Sequence, residues 1–290
     1  MERTILLNNG IKLPPIGFGT YKTAESDGAA VILDAVKAGY RFFDTASLYE
    51  TERALGEAVK HSGVARHEFI IETKLWIDEM GYREAKEACE RSLKRLGLDY
   101  IDLYLIHWPR PSSEGEEWRE LDRETWRAME SLLKEGKVRG IGCSNFLPHH
   151  LRNLMKEGGT VPAVDQLEMH PGYSQEAAAE YCRSQGIVPL AWSPLGRGRA
   201  NSIGCEEYIK QLAEKYGKSA AQICIRFLVQ KGIVPCVKAS SYEHMKANLD
   251  VFDFELTEDE LSVISCMPQT AWLGEHPDFA IPTKRSNFEQ

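Results

Sequence analysis

The sequence predicts an α/β chain of the (β/α)8, or TIM-barrel, class, with a β-hairpin ahead of the barrel and extra helices toward the C-terminal end. Three observations predict it. The chain has 290 residues, a comfortable length for one such barrel. Apolar runs alternate with helix-patterned segments roughly eight times, at ~30 residues per unit, which is the count a closed barrel needs. The runs are nearly continuous in apolar residues, as in Ile101-Asp102-Leu103-Tyr104-Leu105-Ile106, and strands buried on both faces read this way. No linker or internal boundary interrupts the alternation, so residues 1-290 read as a single barrel domain.

The elements follow in order. Asn8-Asn9-Gly10 between Thr4–Leu7 and Ile11–Leu13 is a strong hairpin signal. Ile16–Tyr21 is a short strand with two glycines, which allow close approach of backbone or ligand. Ser26 stands as N-cap for a helix over Ala29–Ala38 that Gly39 stops. Strand Arg41–Thr45 precedes helix Glu52–His61, and strand Phe69–Leu75 precedes helix Tyr82–Leu96 with Gly97 as its stop. Strand Tyr100–His107 leads through a polar loop to helix Arg123–Glu135. Strands Val138–Cys143, Ala163–Met169 and Val188–Trp192 precede helices Pro148–Lys156, Gln175–Gln185 and the pair Glu206–Tyr216 and Ala220–Gln230. Strand Val234–Lys238 precedes helix Tyr242–Leu249, and Thr257 with Glu260 opens the last helix, to Cys266, as a capping box. An open doubly wound sheet is the rival. It needs a glycine-rich fingerprint opening the first helix, and Gly17-Phe18-Gly19-Thr20-Tyr21-Lys22 lacks the third glycine.

A net charge of −8 argues against a general nucleic-acid or anionic-membrane surface, though not against one small anionic ligand. Seven cysteines, scattered and without a C-x-x-C pair, read as free thiols of a reducing compartment. The N-terminus lacks an apolar signal region and no run is long enough for a bilayer. A cytoplasmic protein acting as a monomer is the expectation.

Barrel chemistry lies at the C-terminal strand ends. Those ends carry Thr20 and Tyr21, Asp44, Lys74, His107, Ser144 with Asn145, Gln166 and Glu168, Trp192 with Ser193, and Lys238. Tyr49 lies in the loop beyond Asp44. A phenol is a poor acid near neutrality unless a cation stabilises its anion. Lys74 supplies that cation and should lower the tyrosine pKa, Asp44 should hold Lys74 charged, and His107 can hydrogen-bond a substrate oxygen. Such a set polarises a carbonyl and delivers a proton to it. No side chain donates hydride, so a cofactor is implied. Ser144, Asn145 and Gln166 suit a carboxamide, Trp192 offers a face for an aromatic ring, and Lys238, Ser240 and Ser241 before a helix suit a phosphate.

With these residues in view, the chain resembles the aldo-keto reductase family over nearly its whole length. The motifs are Gly19-Thr20-Tyr21, Phe43-Asp44-Thr45-Ala46 with Tyr49, Thr73-Lys74-Leu75-Trp76, Leu105-Ile106-His107-Trp108-Pro109, Gly142-Cys143-Ser144-Asn145-Phe146, Asp165 to Pro171, and Trp192-Ser193-Pro194-Leu195-Gly196. Trp192 and the short loop after it look like the bacterial branch of 2,5-diketogluconate reductases and prostaglandin-F-synthase-like enzymes. The resemblance implies a catalytic tetrad of Asp44, Tyr49, Lys74 and His107, and reduction of small aldehydes, α-dicarbonyls or keto-sugars with NADPH. It implies Gly19, Thr20 and Asp44 beside the cofactor, carboxamide contacts from Ser144, Asn145 and Gln166, stacking by Trp192, and a pyrophosphate along Ser193, Pro194, Leu195 and Gly196. Tyr21, Tyr49, Trp76, His107 and Trp108 should line the substrate pocket. A catalytically silent, cofactor-binding or structural relative is the alternative, and the intact tetrad favours the enzyme.

The cofactor-phosphate segment departs from the family pattern of Lys-Ser followed by Arg. It reads Lys238-Ala239-Ser240-Ser241-Tyr242-Glu243-His244, with Asn248 retained. His244 stands where an arginine is expected, so relaxed use of NADH is anticipated. His149-His150 reads as a solvated pair with no metal, Cys143 as a buried inert thiol, and Trp118 and Trp126 as helix-packing residues.

Overall fold

The computed structural model describes residues 4–23, 27–109, 115, 117–156, 158–196, 206–268 and 276–279, with Glu206 in backbone only. Two short antiparallel strands, β1 (Ile5–Leu6) and β2 (Lys12–Leu13), form the expected hairpin. Eight parallel strands then close a barrel. They are β3 (Gly17–Gly19), β4 (Phe42–Asp44), β5 (Ile70–Leu75), β6 (Leu103–Ile106), β7 (Ile141–Ser144), β8 (Val164–Glu168), β9 (Val188–Trp192) and β10 (Val234–Val237), with β10 pairing both β9 and β3. The hairpin covers the N-terminal end of the barrel. Its Leu7, Ile11 and Leu13 share a buried cluster with Phe42, Leu103 and Val234.

Around the barrel run α1 (Gly28–Ala38), α2 (Glu52–His61), α3 (Tyr82–Leu96), α4 (Glu117–Lys134), α5 (Pro148–Met155), α6 (Glu176–Ser184), α7 (Glu206–Tyr216), α8 (Ala220–Gln230), α9 (Tyr242–Leu249) and α10 (Glu258–Ser265). The main core lies between helices and strands, from Ile32 and Leu55 to Phe69, Tyr104 and Met129. Helices α2 and α3 cross closely at Gly56, where an added Cβ would sit 2.0 Å from the Leu96 carbonyl oxygen. No helix among the described residues is long and apolar enough to cross a membrane.

Three local features differ from the sequence reading. Asp27 caps α1, its carboxylate accepting from Ala30 N at 3.3 Å; Ser26 lies outside the described residues. Helix α4 starts at Glu117, six residues before Arg123. Its buried stripe begins at Trp118 and continues through Asp122, Thr125, Trp126, Met129 and Leu132, a helical spacing that the charges around Trp118 obscure. Regular pairing of β6 begins only at Leu103. The Asp102 carboxylate takes Ile71 N at 3.0 Å, Arg66 at 2.6 Å and Arg139 at 2.9 Å, so a side chain replaces backbone as the acceptor there.

The histidine pair is also different. His150 is fully buried, not solvated, and its Nδ1 accepts Leu147 N at 3.1 Å. His149 is hydrogen-bonded to Asp278 at 2.8 Å, a partner from far along the chain.

Candidate active site

The site is built at the C-terminal end of the barrel from β4, β5, β6 and the loop after β4. Residues two apart on a strand share a face, so Glu72 and Lys74 of β5 both face the barrel centre. In the β4–β5 register Asp44 stands opposite Glu72. The Lys74 ammonium is fully buried, donates to the Asp44 carboxylate, and donates to the Thr45 carbonyl at 3.1 Å. Burial works against its charge, but Asp44, joined by Tyr49 and Glu72 once these ionise in alkali, outweighs burial and raises its pKa, so it stays an ammonium.

Tyr49 ends a short 3-10 turn, Ser47–Tyr49. Its hydroxyl lies 3.3 Å from Nε2 of His107, the residue just beyond β6, and Lys74 Nζ is 5.2 Å from its ring centroid. The turn is held by threonine hydroxyls. Thr20 Oγ1 donates to the Asp44 carbonyl at 3.0 Å, and Thr51 Oγ1 meets both Thr20 Oγ1 at 2.9 Å and Thr45 Oγ1 at 2.8 Å. Behind β5, buried Glu52 accepts from Thr73 at 2.7 Å and from Arg95 at 2.5 Å, tying α2, β5 and α3 together.

The electrostatics correct one expectation. Burial raises the Tyr49 pKa, Lys74 lowers it, and Asp44 and Glu72 raise it. The net direction is upward, because the lysine offsets burial only in part. Tyr49 therefore carries its proton at neutral pH. His107 has its pKa pushed well below the ordinary imidazole value, by burial first and by Lys74 second. It is a neutral ring with one N–H and one lone pair, and its Nδ1 is buried without a hydrogen-bond partner.

Aromatic rings surround this group. Tyr21 lies 5.0 Å from Tyr49 between centroids, and Trp76 lies 4.9 Å from His107. Trp76 Nε1 is buried without a hydrogen-bond partner. Trp108 is half-buried and packs on the main core.

The residues expected around a cofactor fall into three groups. Ser144, Asn145, Gln166 and Trp192 form one bonded chain. Ser144 Oγ donates to the Gln166 carbonyl at 2.8 Å, Asn145 Nδ2 to the His107 carbonyl at 3.0 Å, and Trp192 Nε1 to Asn145 Oδ1 at 2.9 Å. These bonds fix the edge of the half-buried indole. Gly19 approaches Asp44, with Pro194 and Gly196 buried and Ser193 and Leu195 half-buried on the loop after β9. Lys238, Ser240 and His244 are exposed around the start of α9, Ala239 and Ser241 half-buried among them. Ser241 caps α9 by accepting His244 N at 3.3 Å, and Lys238 Nζ donates to the Lys22 carbonyl at 3.2 Å. Asn248, one turn beyond His244 on α9, is buried and hydrogen-bonded to the Tyr40 hydroxyl. The sequence reading omitted Thr51, Glu52 and Glu72. Only Glu72 had a local signal, its two-residue spacing from Lys74 on a strand.

A family model, that of the aldo/keto reductase family, matches residues 15–266. The glyoxal reductase of Bacillus subtilis is 40% identical over 279 residues, spanning 96% of this chain and 97% of that protein. The methylglyoxal reductase DkgA of Escherichia coli is 39% identical over 274 residues, spanning 94% and 96%. Among solved structures, an aldo-keto reductase of Bombyx mori in complex with NADP is 32% identical, covers 91% of this chain and 92% of that one, and superposes with a TM-score of 0.82.

Proposed function

Because this chain belongs to the aldo/keto reductase family and is an NAD(P)H-dependent oxidoreductase, we propose that it reduces small α-dicarbonyls and related aldehydes, preferring NADPH, with Tyr49 as the proton donor. The observation that carries this reading is the Tyr49 hydroxyl at 3.3 Å from His107 Nε2, beside the buried Lys74–Asp44 pair.

The nicotinamide, when bound, supplies the hydride to the carbonyl carbon. The protein does the rest. Neutral His107 hydrogen-bonds the carbonyl oxygen and polarises it. As negative charge develops there, Tyr49 transfers its hydroxyl proton to the oxygen, so the C=O π bond is replaced by a C–H and an O–H bond. Lys74, kept charged by Asp44, stabilises the phenolate that remains until solvent returns a proton. The names of the two reductase relatives support small α-dicarbonyls as the substrate class.

Trp192 would stack on the nicotinamide, with Ser144, Asn145 and Gln166 at its carboxamide. Gly19 and Thr20 would lie beside the cofactor next to Asp44, and the loop from Ser193 to Gly196 would follow the pyrophosphate. The exposed cation of Lys238 and the hydroxyls of Ser240 and Ser241 at the start of α9 suit a 2′-phosphate. His244 offers a weaker donor there than an arginine, so NADPH is preferred but NADH is used measurably. The test is consumption of NADPH and of NADH with methylglyoxal, glyoxal and a keto-sugar. Oxidation of NADPH by none of them would overturn the reading.

A further inference from the structure

Glu72 is a second carboxyl at the barrel centre that the proposed chemistry leaves without a role. It is fully buried, as is Lys74, and its Oε1 lies 3.4 Å from Lys74 Nζ. That lysine already donates to Asp44 and to the Thr45 carbonyl. Neither oxygen of Glu72 finds a donor in hydrogen-bonding geometry. The titratable groups facing it are Asp44 on β4, Lys74 on β5, Tyr49 on the turn after β4, and Cys236 on β10. From β6 the register neighbour is Leu103, which cannot titrate.

The charge balance is decisive. Two carboxylates beside one ammonium, all buried or nearly so, would leave an uncompensated negative charge in the interior, which is strongly disfavoured. Like charges in one site force a proton onto one of them. Asp44 is the carboxyl bonded to Lys74, so the proton belongs on Glu72. As an acid Glu72 has an O–H to give to Asp44, so one of its oxygens becomes a donor rather than an acceptor in need of one. Burial first, with Asp44 opposing Lys74, favours this neutral form.

We propose that Glu72 is a positioning residue that holds a proton beneath the Asp44–Lys74 pair, leaving one positive and one negative charge there and keeping the field of Lys74 available to Tyr49. The part concerning Tyr49 rests on the function proposed above. The proton itself does not. When Glu72 ionises in alkaline buffer, the added negative charge opposes formation of the Tyr49 phenolate, the base needed to oxidise an alcohol. Glu72→Gln removes that charge and keeps the size of the side chain.

Difference infrared spectra and pH profiles test this together. At pH 7 the wild type should show a protonated-carboxyl stretch that Glu72→Gln lacks. Asp165, the other carboxyl among the described residues that burial raises, contributes equally to both proteins and cancels. The alkaline limb of alcohol oxidation should move to lower pH in Glu72→Gln by about one unit. If Glu72→Gln does not fold, Glu72→Met, which also lacks a titrating group, is read in the same way. An unchanged infrared spectrum means that Glu72 is ionised and overturns the proposal. So does an alkaline limb that stays in place. If Tyr49→Phe retains turnover, the proton-donor assignment fails while the infrared result stands on its own.

Discussion

The Tyr49 hydroxyl and His107 Nε2 lie 3.3 Å apart, one on the turn after β4 and the other just past β6. The pair is neutral on both sides, since burial raises the phenol and lowers the imidazole. The sign for His107 is definite. A pKa pushed well below 6.5 means the ring has lost its proton before the pH reaches neutrality. The turnover number for carbonyl reduction at saturating cofactor should therefore be flat from about pH 6 to 8. A pH–rate profile with an inflection near 6.5, abolished in His107→Gln, would show a titrating imidazole instead.

Gly56 should be intolerant of a side chain. In an exposed helix Gly→Ala gains roughly 1 kcal/mol. Here the added Cβ would meet the Leu96 backbone carbonyl at 2.0 Å, and backbone cannot rotate away. Gly56→Ala should destabilise the fold by about 2 kcal/mol or more, in the range of an overpacked core, and lower the melting temperature by about 5 °C. Thermal unfolding followed by circular dichroism checks this, and a Gly56→Ala protein as stable as wild type would mean that α2 and α3 can separate freely.

Much of this was legible because strand ends are local. A buried run ending in Asp44, and another carrying Lys74, announce themselves in the chain, and eight strand–helix units leave little choice but closure. What was not legible depends on distant partners. The hydroxyl of Thr20 goes to the Asp44 carbonyl and to Thr51, 31 residues away, a pairing no local pattern announces. His150 reads as solvated because Trp118 and Asp278, which cover it, are far from it in sequence. The direction of the Tyr49 pKa needed the depth of the site, since a lysine nearby says nothing of how much water has been excluded.

Cofactor choice should turn on His244. Arginine holds a phosphate with a permanent charge and a planar fork of donors, and an imidazole has no such fork. His244→Arg should widen the NADPH preference. Dissociation constants for both cofactors, in both proteins, decide it. A ratio unchanged by the substitution would remove His244 from the phosphate site.

Turnover of Tyr49→Phe is the most direct measurement of the central claim. The variant loses one hydroxyl and keeps the ring, the Lys74–Asp44 pair and the surfaces proposed for the cofactor. Methylglyoxal reduction at saturating NADPH, with the cofactor dissociation constant measured alongside, should show kcat reduced by at least ~100-fold, the scale of a lost general acid, and a dissociation constant changed little. Near-wild-type kcat in a folded, cofactor-binding Tyr49→Phe protein would contradict the account.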